Sequence, residues 1–64
     1  QMGSKTPELG DFWLFSGRPY VIVGRELMPD GTFSGEFVLY AIGFPYAPLT
    51  LTEEQIKERC QFIR

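Results

Sequence analysis

Few side chains in this 64-residue chain could carry out covalent chemistry. Cys60 is the only cysteine, and there is no histidine to act as its base. A thiol nucleophile needs a base or a positively charged environment that stabilises the thiolate. The i, i+4, i+7 spacing of Ile56, Cys60 and Ile63 instead predicts the apolar stripe of a helix, where a free cysteine is typically a core residue. We therefore expect no catalytic residue and no enzymatic activity.

Carboxylates are the second possible source of chemistry, as an acid–base pair or as ligands of a divalent ion. The five candidates are Asp30, Glu36, Glu53, Glu54 and Glu58. Asp30 fits a turn, Glu53 and Glu54 fit the first turn of a helix, and the set lacks the spacing of a calcium-binding loop. A zinc site of the usual kind needs cysteine or histidine ligands that the chain lacks. We expect neither a metal nor a cofactor.

Aromatic side chains are abundant, with six Phe, three Tyr and one Trp. Five of them could stack on nucleotide bases or enclose a cation: Trp13, Phe15, Tyr20, Tyr40 and Tyr46. Aromatic residues at strand spacing are more often core residues. The only basic residues near them in the sequence are Arg18 and Arg25, and the formal net charge is −2. This charge balance disfavours a phosphate-binding surface and an anionic membrane as partners.

The length of the chain predicts one small domain with a marginal core, because such a chain buries only about 60% of the surface that its unfolded form exposes. A single cysteine cannot form an internal disulfide, so oligomerisation is the common support that remains. No apolar run reaches the length of a membrane-spanning helix, and a lone thiol favours a reducing compartment. We expect a cytoplasmic protein whose domain spans residues 5–64, with Gln1 to Ser4 a cloning remnant.

Three apolar runs separated by turn signals predict an antiparallel sheet over residues 11–44. The runs are Asp11 to Phe15, Tyr20 to Leu27 and Thr32 to Phe44. The sequence Met-Pro-Asp-Gly at 28–31 predicts a tight turn that joins the second and third runs as a hairpin. Gly35 is a candidate β-bulge within the return strand.

The C-terminal part predicts an extended crossover over residues 45–51, which contains Pro48, and a helix over residues 53–63. Thr52 and Gln55 have the spacing of a capping box. Leu51 and Ile56 flank the cap as a hydrophobic staple.

One segment has the spacing of a known family. The pattern is Gly10-x-Phe12-x4-Gly17-x2-Tyr20-x-Ile22-x-Gly24. It resembles the opening hairpin of small bacterial SH3-like β-barrel domains, which include families of unassigned function. The resemblance implies a strongly bent sheet over roughly residues 10–44. The matching residues are structural, so it implies no functional residue.

The run Phe37 to Phe44, FVLYAIGF, is apolar on both faces of the predicted strand, and so are the central parts of the other two runs. We expect an α+β domain that is mainly β, with a strongly bent SH3-like antiparallel sheet of three to four strands and one C-terminal helix. A single helix covers one sheet face. The other face would then leave an apolar patch of the size that marks an interaction site.

We therefore expect a non-enzymatic protein-interaction module that self-associates, as a homodimer, or binds another protein. The residues expected at the contact are Trp13, Phe15, Tyr40, Phe44 and Tyr46, because aromatic residues are enriched at interface centres. The alternative is a small barrel that binds single-stranded nucleic acid on its aromatic residues. A third possibility is an enzyme subunit whose active site forms only between chains, for which the sequence offers no residue set.

Overall fold

The alternation of apolar side chains and the turn residues between them produce five strands and one helix in a computed structural model, which describes residues 5–43 and 47–63. In chain order the elements are β1 Phe12–Phe15, β2 Arg18–Leu27, β3 Phe33–Ala41, β4 Leu49–Thr52, α1 Glu53–Arg59 and β5 Cys60–Ile63. The predictions for Gln1 to Ser4, Phe44 and Tyr46 fall outside the described residues.

The strands form one sheet in the order β4-β3-β2-β1-β5, and every neighbouring pair is antiparallel. The sheet curls into a half-barrel. The prediction of a mainly β α+β domain with a bent antiparallel sheet is confirmed at this level. The strand number is five rather than three or four, because β4 and β5 form where a crossover and the end of a helix were expected.

The hairpin of β2 and β3 closes at the predicted turn. The Gly31 N–H donates to the Met28 carbonyl (2.8 Å), and the Met28 N–H donates to the Thr32 carbonyl (2.7 Å). The Asp30 carboxylate accepts hydrogen bonds from the backbone N–H and the hydroxyl of Thr32, at 2.9 and 2.7 Å. Gly31 has a φ of 91°, which a residue with a Cβ adopts only at a cost. The turn prediction is confirmed.

The same hairpin has two irregularities that bend it. One lies between Ile22 and Gly24 on β2. The other lies in the part of β3 between Phe33 and Phe37, which contains Gly35 with a φ of 97°. Extra residues in one strand increase the local twist and bend the pair. The predicted bulge at Gly35 is confirmed, and together the two irregularities help to curl the sheet.

The core lies on the inner face of the half-barrel. It consists of seven buried residues: Trp13, Tyr20, Ile22, Phe37, Leu39, Leu51 and Ile56. Cross-strand pairing brings them together, because Trp13 lies opposite Tyr20 and Ile22 lies opposite Leu39. The helix completes the core with Ile56, which is fully buried.

The predicted helix over residues 53–63 is too long. It ends at Arg59, and Cys60 already has extended backbone dihedrals. Residues 60–63 form β5, which pairs with β1 and places Phe62 opposite Trp13 with a ring-centroid distance of 5.3 Å. The strand satisfies the open edge of β1 and buries Phe62 against the core. A continued helix would leave the edge of β1 unpaired. It would also leave Phe62 outside the core, because Phe62 lies off the apolar stripe of that helix.

The start of the helix matches the sequence signals. The Gln55 N–H donates to the Thr52 hydroxyl oxygen (3.1 Å), and the Thr52 N–H donates to the Gln55 side-chain oxygen (2.9 Å), which completes the capping box. Leu51 and Ile56 on either side of the cap belong to the same core. These contacts fix the direction in which the helix leaves β4 and crosses the inner face.

Ile56→Val should lower the free energy of unfolding by about 0.5–1.5 kcal/mol, because it removes one methylene group from a fully buried site. Thermal or urea unfolding followed by circular dichroism measures the change. The control is Glu58→Ala on the exposed side of the same helix, expected within about 0.5 kcal/mol of wild type. Equal losses in the two variants would contradict the placement of Ile56 in the core.

The hydrogen bonds from the hydroxyl and then the N–H of Thr32 lower the pKa of Asp30 below its ordinary value of 3.8. Since the folded pKa is the lower one, the contribution of this carboxylate to stability is present above the unfolded pKa and is lost as pH falls through the folded pKa. An NMR titration of the Asp30 carboxyl carbon should give a midpoint below 3.8. In Thr32→Val, which removes the hydroxyl donor, the midpoint should move back towards 3.8. A wild-type midpoint at or above 3.8 would show that the turn bonds do not form.

Candidate interaction surface

Within residues 5–43 and 47–63 the sheet and the helix form two layers, which leave one sheet face uncovered by the described residues. Its principal dimensions are 35 × 34 × 17 Å, and the short dimension corresponds to the sheet and the helix packed on it. The lead-in segment also lies on the inner side, where Lys5 Nζ is 5.1 Å from the Phe62 ring centroid. No described helix lies across the opposite side, which we call the outer face.

A row of apolar side chains crosses four strands of the outer face. Val21 lies opposite Phe12 on one side and Tyr40 on the other, and Phe12 lies opposite Ile63. Alternation along each strand directs these residues away from the core, because their neighbours Trp13, Tyr20 and Leu39 point into it. Phe12 and Tyr40 are each 46% exposed.

A second row runs parallel to the first. Leu14 lies opposite Pro19 on β2 and Gln61 on β5. The Ile42 N–H donates to the Pro19 carbonyl (2.9 Å), which extends this row beyond the end of β3. All residues of both rows lie in the described part of the chain, and none of them is charged. We define the outer face patch by its two rows, which are Phe12, Val21, Tyr40 and Ile63, and Leu14, Pro19, Ile42 and Gln61.

The five residues predicted at a contact do not lie together. Trp13 is 2% exposed and belongs to the core, and Phe15 is packed against that core with its ring 5.8 Å from the Tyr20 ring. Tyr40 lies on the outer face. The structure thus brings Trp13 and Phe15 together on one side of the sheet and separates them from Tyr40, while Phe44 and Tyr46 lie outside the described residues.

Tyr40 is the one residue of the outer face patch that sequence reasoning placed at the contact, and Phe12 and Ile42 are the most exposed of those that it missed. The pattern FWLF shows that Phe12 and Leu14 share one face and Trp13 and Phe15 the other. It does not indicate which face is buried. The bulge at Val23 also shifts the alternation of β2 relative to β3, so the outer partner of each residue follows from the observed register alone.

The indole N–H of Trp13 is a buried polar group. Within the described residues its Nε1 atom has no hydrogen-bond acceptor. The Trp13 and Phe62 rings meet at an interplanar angle of 62° in an edge-to-face contact. Packing of this type stabilises an aromatic pair beyond the burial of area. The role of Trp13 in the described chain is therefore that of a packing residue at the centre of β1.

Few of the described residues could catalyse a reaction or bind a metal ion. Within residues 5–43 and 47–63, His, Cys, Asp and Glu form no group of three or more that could hold a metal ion. Burial raises the pKa of Cys60, and the nearby Arg59 lowers it in part. A raised pKa keeps the thiol protonated and unreactive near neutral pH. Among the described residues, no helix is long and apolar enough to cross a membrane.

In comparisons with known proteins, no family model, no curated protein and no solved structure matches this chain.

Cys60 should react slowly with iodoacetamide at neutral pH, several times more slowly than an exposed thiol, since it is partly buried with a raised pKa. The reaction rate should rise with pH, and the midpoint of this rise should lie at a higher pH than for a free cysteine. Mass spectrometry of quenched samples measures it. The matched control carries Cys60→Ser and Thr50→Cys, which moves the thiol to an exposed position of β4. Equal rates for the two thiols would contradict the burial of Cys60.

Proposed function

We propose that this chain is a non-enzymatic protein-interaction module that self-associates through the outer face patch. The observation that carries the proposal is the pair of uncharged rows on the face that α1 does not cover, which are apolar except for Gln61 and of which the first crosses four strands. Scattered exposed apolar residues are normal on a protein surface, but contiguous ones mark interaction sites. Here the cross-strand register makes them contiguous.

The size of the outer face patch fits a small interface. Phe12, Tyr40 and Ile42 expose a large part of their side chains, and Val23 adds to them at the bulge. With the half-buried members, the patch exposes on the order of several hundred Å² of apolar surface. A standard interface buries about 800 Å² on each partner, including its polar rim. The patch can supply the apolar centre of such an interface.

A second copy of the chain is the partner that this surface fits best. Two identical sheet faces can pack on each other about 10 Å apart around a two-fold axis, in the manner of a β-sandwich. Neither copy would bury a charge, since both rows are uncharged, and no desolvation of ions opposes the contact. A dimer also supplies the additional buried area that a domain of this size needs.

The curled antiparallel sheet supports, as a proposal, the likeness to SH3-like barrels. For binding of single-stranded nucleic acid, the outer face patch offers Phe12 and Tyr40 as residues on which nucleotides could stack. It contains no lysine or arginine, so it lacks the positive charge that holds a phosphate backbone. The cytoplasmic location stays a prediction based on the single cysteine.

Phe12→Lys should weaken self-association at least 100-fold, equivalent to about 2.7 kcal/mol, because the dimer would bury an unpaired charge at its centre. Sedimentation velocity over micromolar to submillimolar concentrations measures the dimer fraction. Leu27→Lys is the matched control, since Leu27 is 59% exposed and lies at the hairpin end, outside the patch. Its dimer should be as stable as that of wild type.

Two results would count against self-association through this face. One is a wild-type chain that stays monomeric over the whole concentration range. The other is equal weakening by Phe12→Lys and Leu27→Lys, which would place the contact elsewhere. Binding of a single-stranded oligonucleotide that weakens steeply with salt would favour the nucleic-acid alternative.

A further inference from the structure

A second exposed apolar cluster lies at the turn end of the β2–β3 hairpin, apart from the outer face patch. Leu27 and Phe33 are opposite each other in the register and share one face, and Met28 follows in the turn, where alternation directs it to the other face. All three side chains are exposed, Leu27 at 59% and Phe33 at 45%. The ring of Phe33 contacts that of the core residue Phe37, with centroids 5.4 Å apart, so Phe33 lies on the inner side of the sheet.

Arg25 lies over this aromatic pair. It is opposite Phe37 in the register, and its Cζ atom is 5.9 Å from the Phe33 ring centroid and 6.0 Å from that of Phe37. Both distances are within the range of cation–π attraction. A guanidinium held near two rings has fewer conformations open to it than one on a free side chain. It is therefore partly preorganised for a partner.

The donors of Arg25 are available to a partner. Among the residues that the structure describes, Arg25 has no hydrogen bond or ion pair. The two acids nearest in sequence are otherwise engaged, because Glu26 accepts from the Ser34 hydroxyl (3.3 Å) and Asp30 accepts from Thr32. Cation–π attraction to the rings uses no N–H donor, so the N–H edge of the guanidinium can still hydrogen-bond to a partner. That edge matches a carboxylate in a bidentate geometry.

We propose that Arg25, Leu27 and Phe33, which we call the Arg25 patch, bind a partner-protein segment that has a carboxylate between apolar side chains. The carboxylate pairs with Arg25, and the flanking apolar side chains pack on Leu27 and Phe33. One arginine suits one carboxylate and is a poor match for the repeated charges of a nucleic acid. Because the patch is separate from the outer face patch, its occupation does not depend on self-association.

The test is an NMR titration of the full isotopically labelled chain with two capped five-residue peptides. One has a glutamate between two leucine pairs, and the other has a glutamine in its place. The glutamate peptide should shift the Arg25 side-chain N–H, the Phe33 ring and the Leu27 methyl signals. It should bind about 10-fold more tightly than the glutamine peptide, because only a carboxylate forms the charge-assisted pair.

Two variants separate the role of Arg25 from that of charge in general. Arg25→Lys keeps the charge but loses the planar guanidinium group that forms bidentate hydrogen bonds. It should lower the affinity for the glutamate peptide about 10-fold. Arg59→Lys, at the exposed end of α1, should leave the affinity unchanged. Phe12→Lys should also bind the peptide as wild type does, since it changes only the outer face patch.

Three results would overturn the proposal: no shift with the glutamate peptide at millimolar concentration, equal affinity for the two peptides, or shifts that map to the outer face patch. The comparison of the two peptides uses the wild-type chain, so it decides the question even if a variant is unstable. Preferential binding of a single-stranded oligonucleotide at the Arg25 patch would likewise overturn it.

Discussion

The structure depends on one constraint, which is that a sheet has two faces and the described residues supply one short helix to cover them. The helix has seven residues and places a single fully buried side chain, Ile56, over the inner face. Each strand near the centre of the sheet is apolar on both sides. Among the described residues, one apolar sheet face is left without a covering layer, because α1 packs only on the inner face.

The strand β1 decides which face that is. It has only four residues but pairs with β2 on one side and β5 on the other, so it lies where the chain returns to close the half-barrel. Trp13 points inward and contacts Phe62, which fixes β5 in register, and Phe12 consequently points outward next to Ile63. The core and the outer face patch are therefore two results of the same pairing, and a shift of one residue would exchange them.

Signals that act over a few residues were predicted correctly from the sequence. The turn at 28–31, the bulge at Gly35 and the capping box of Thr52 and Gln55 each depend on backbone preferences and short hydrogen bonds that their own residues determine. The end of the helix was predicted wrongly. The spacing of Cys60 and Ile63 suits a helix, but pairing with β1 buries Phe62 and satisfies more backbone groups, and that partner is distant in sequence.

The sequence by itself determined that the protein is mainly β, that its strands are apolar on both faces and that it has no histidine and one cysteine from which to build a catalytic site. These are matters of composition and local pattern. Only the tertiary structure decided that Trp13 and Phe15 lie inside while Phe12 and Tyr40 lie outside, and that Arg25 meets Phe33 and Phe37. Alternation along a strand gives two faces but not their orientation, which follows from where the helix packs and how distant strands pair.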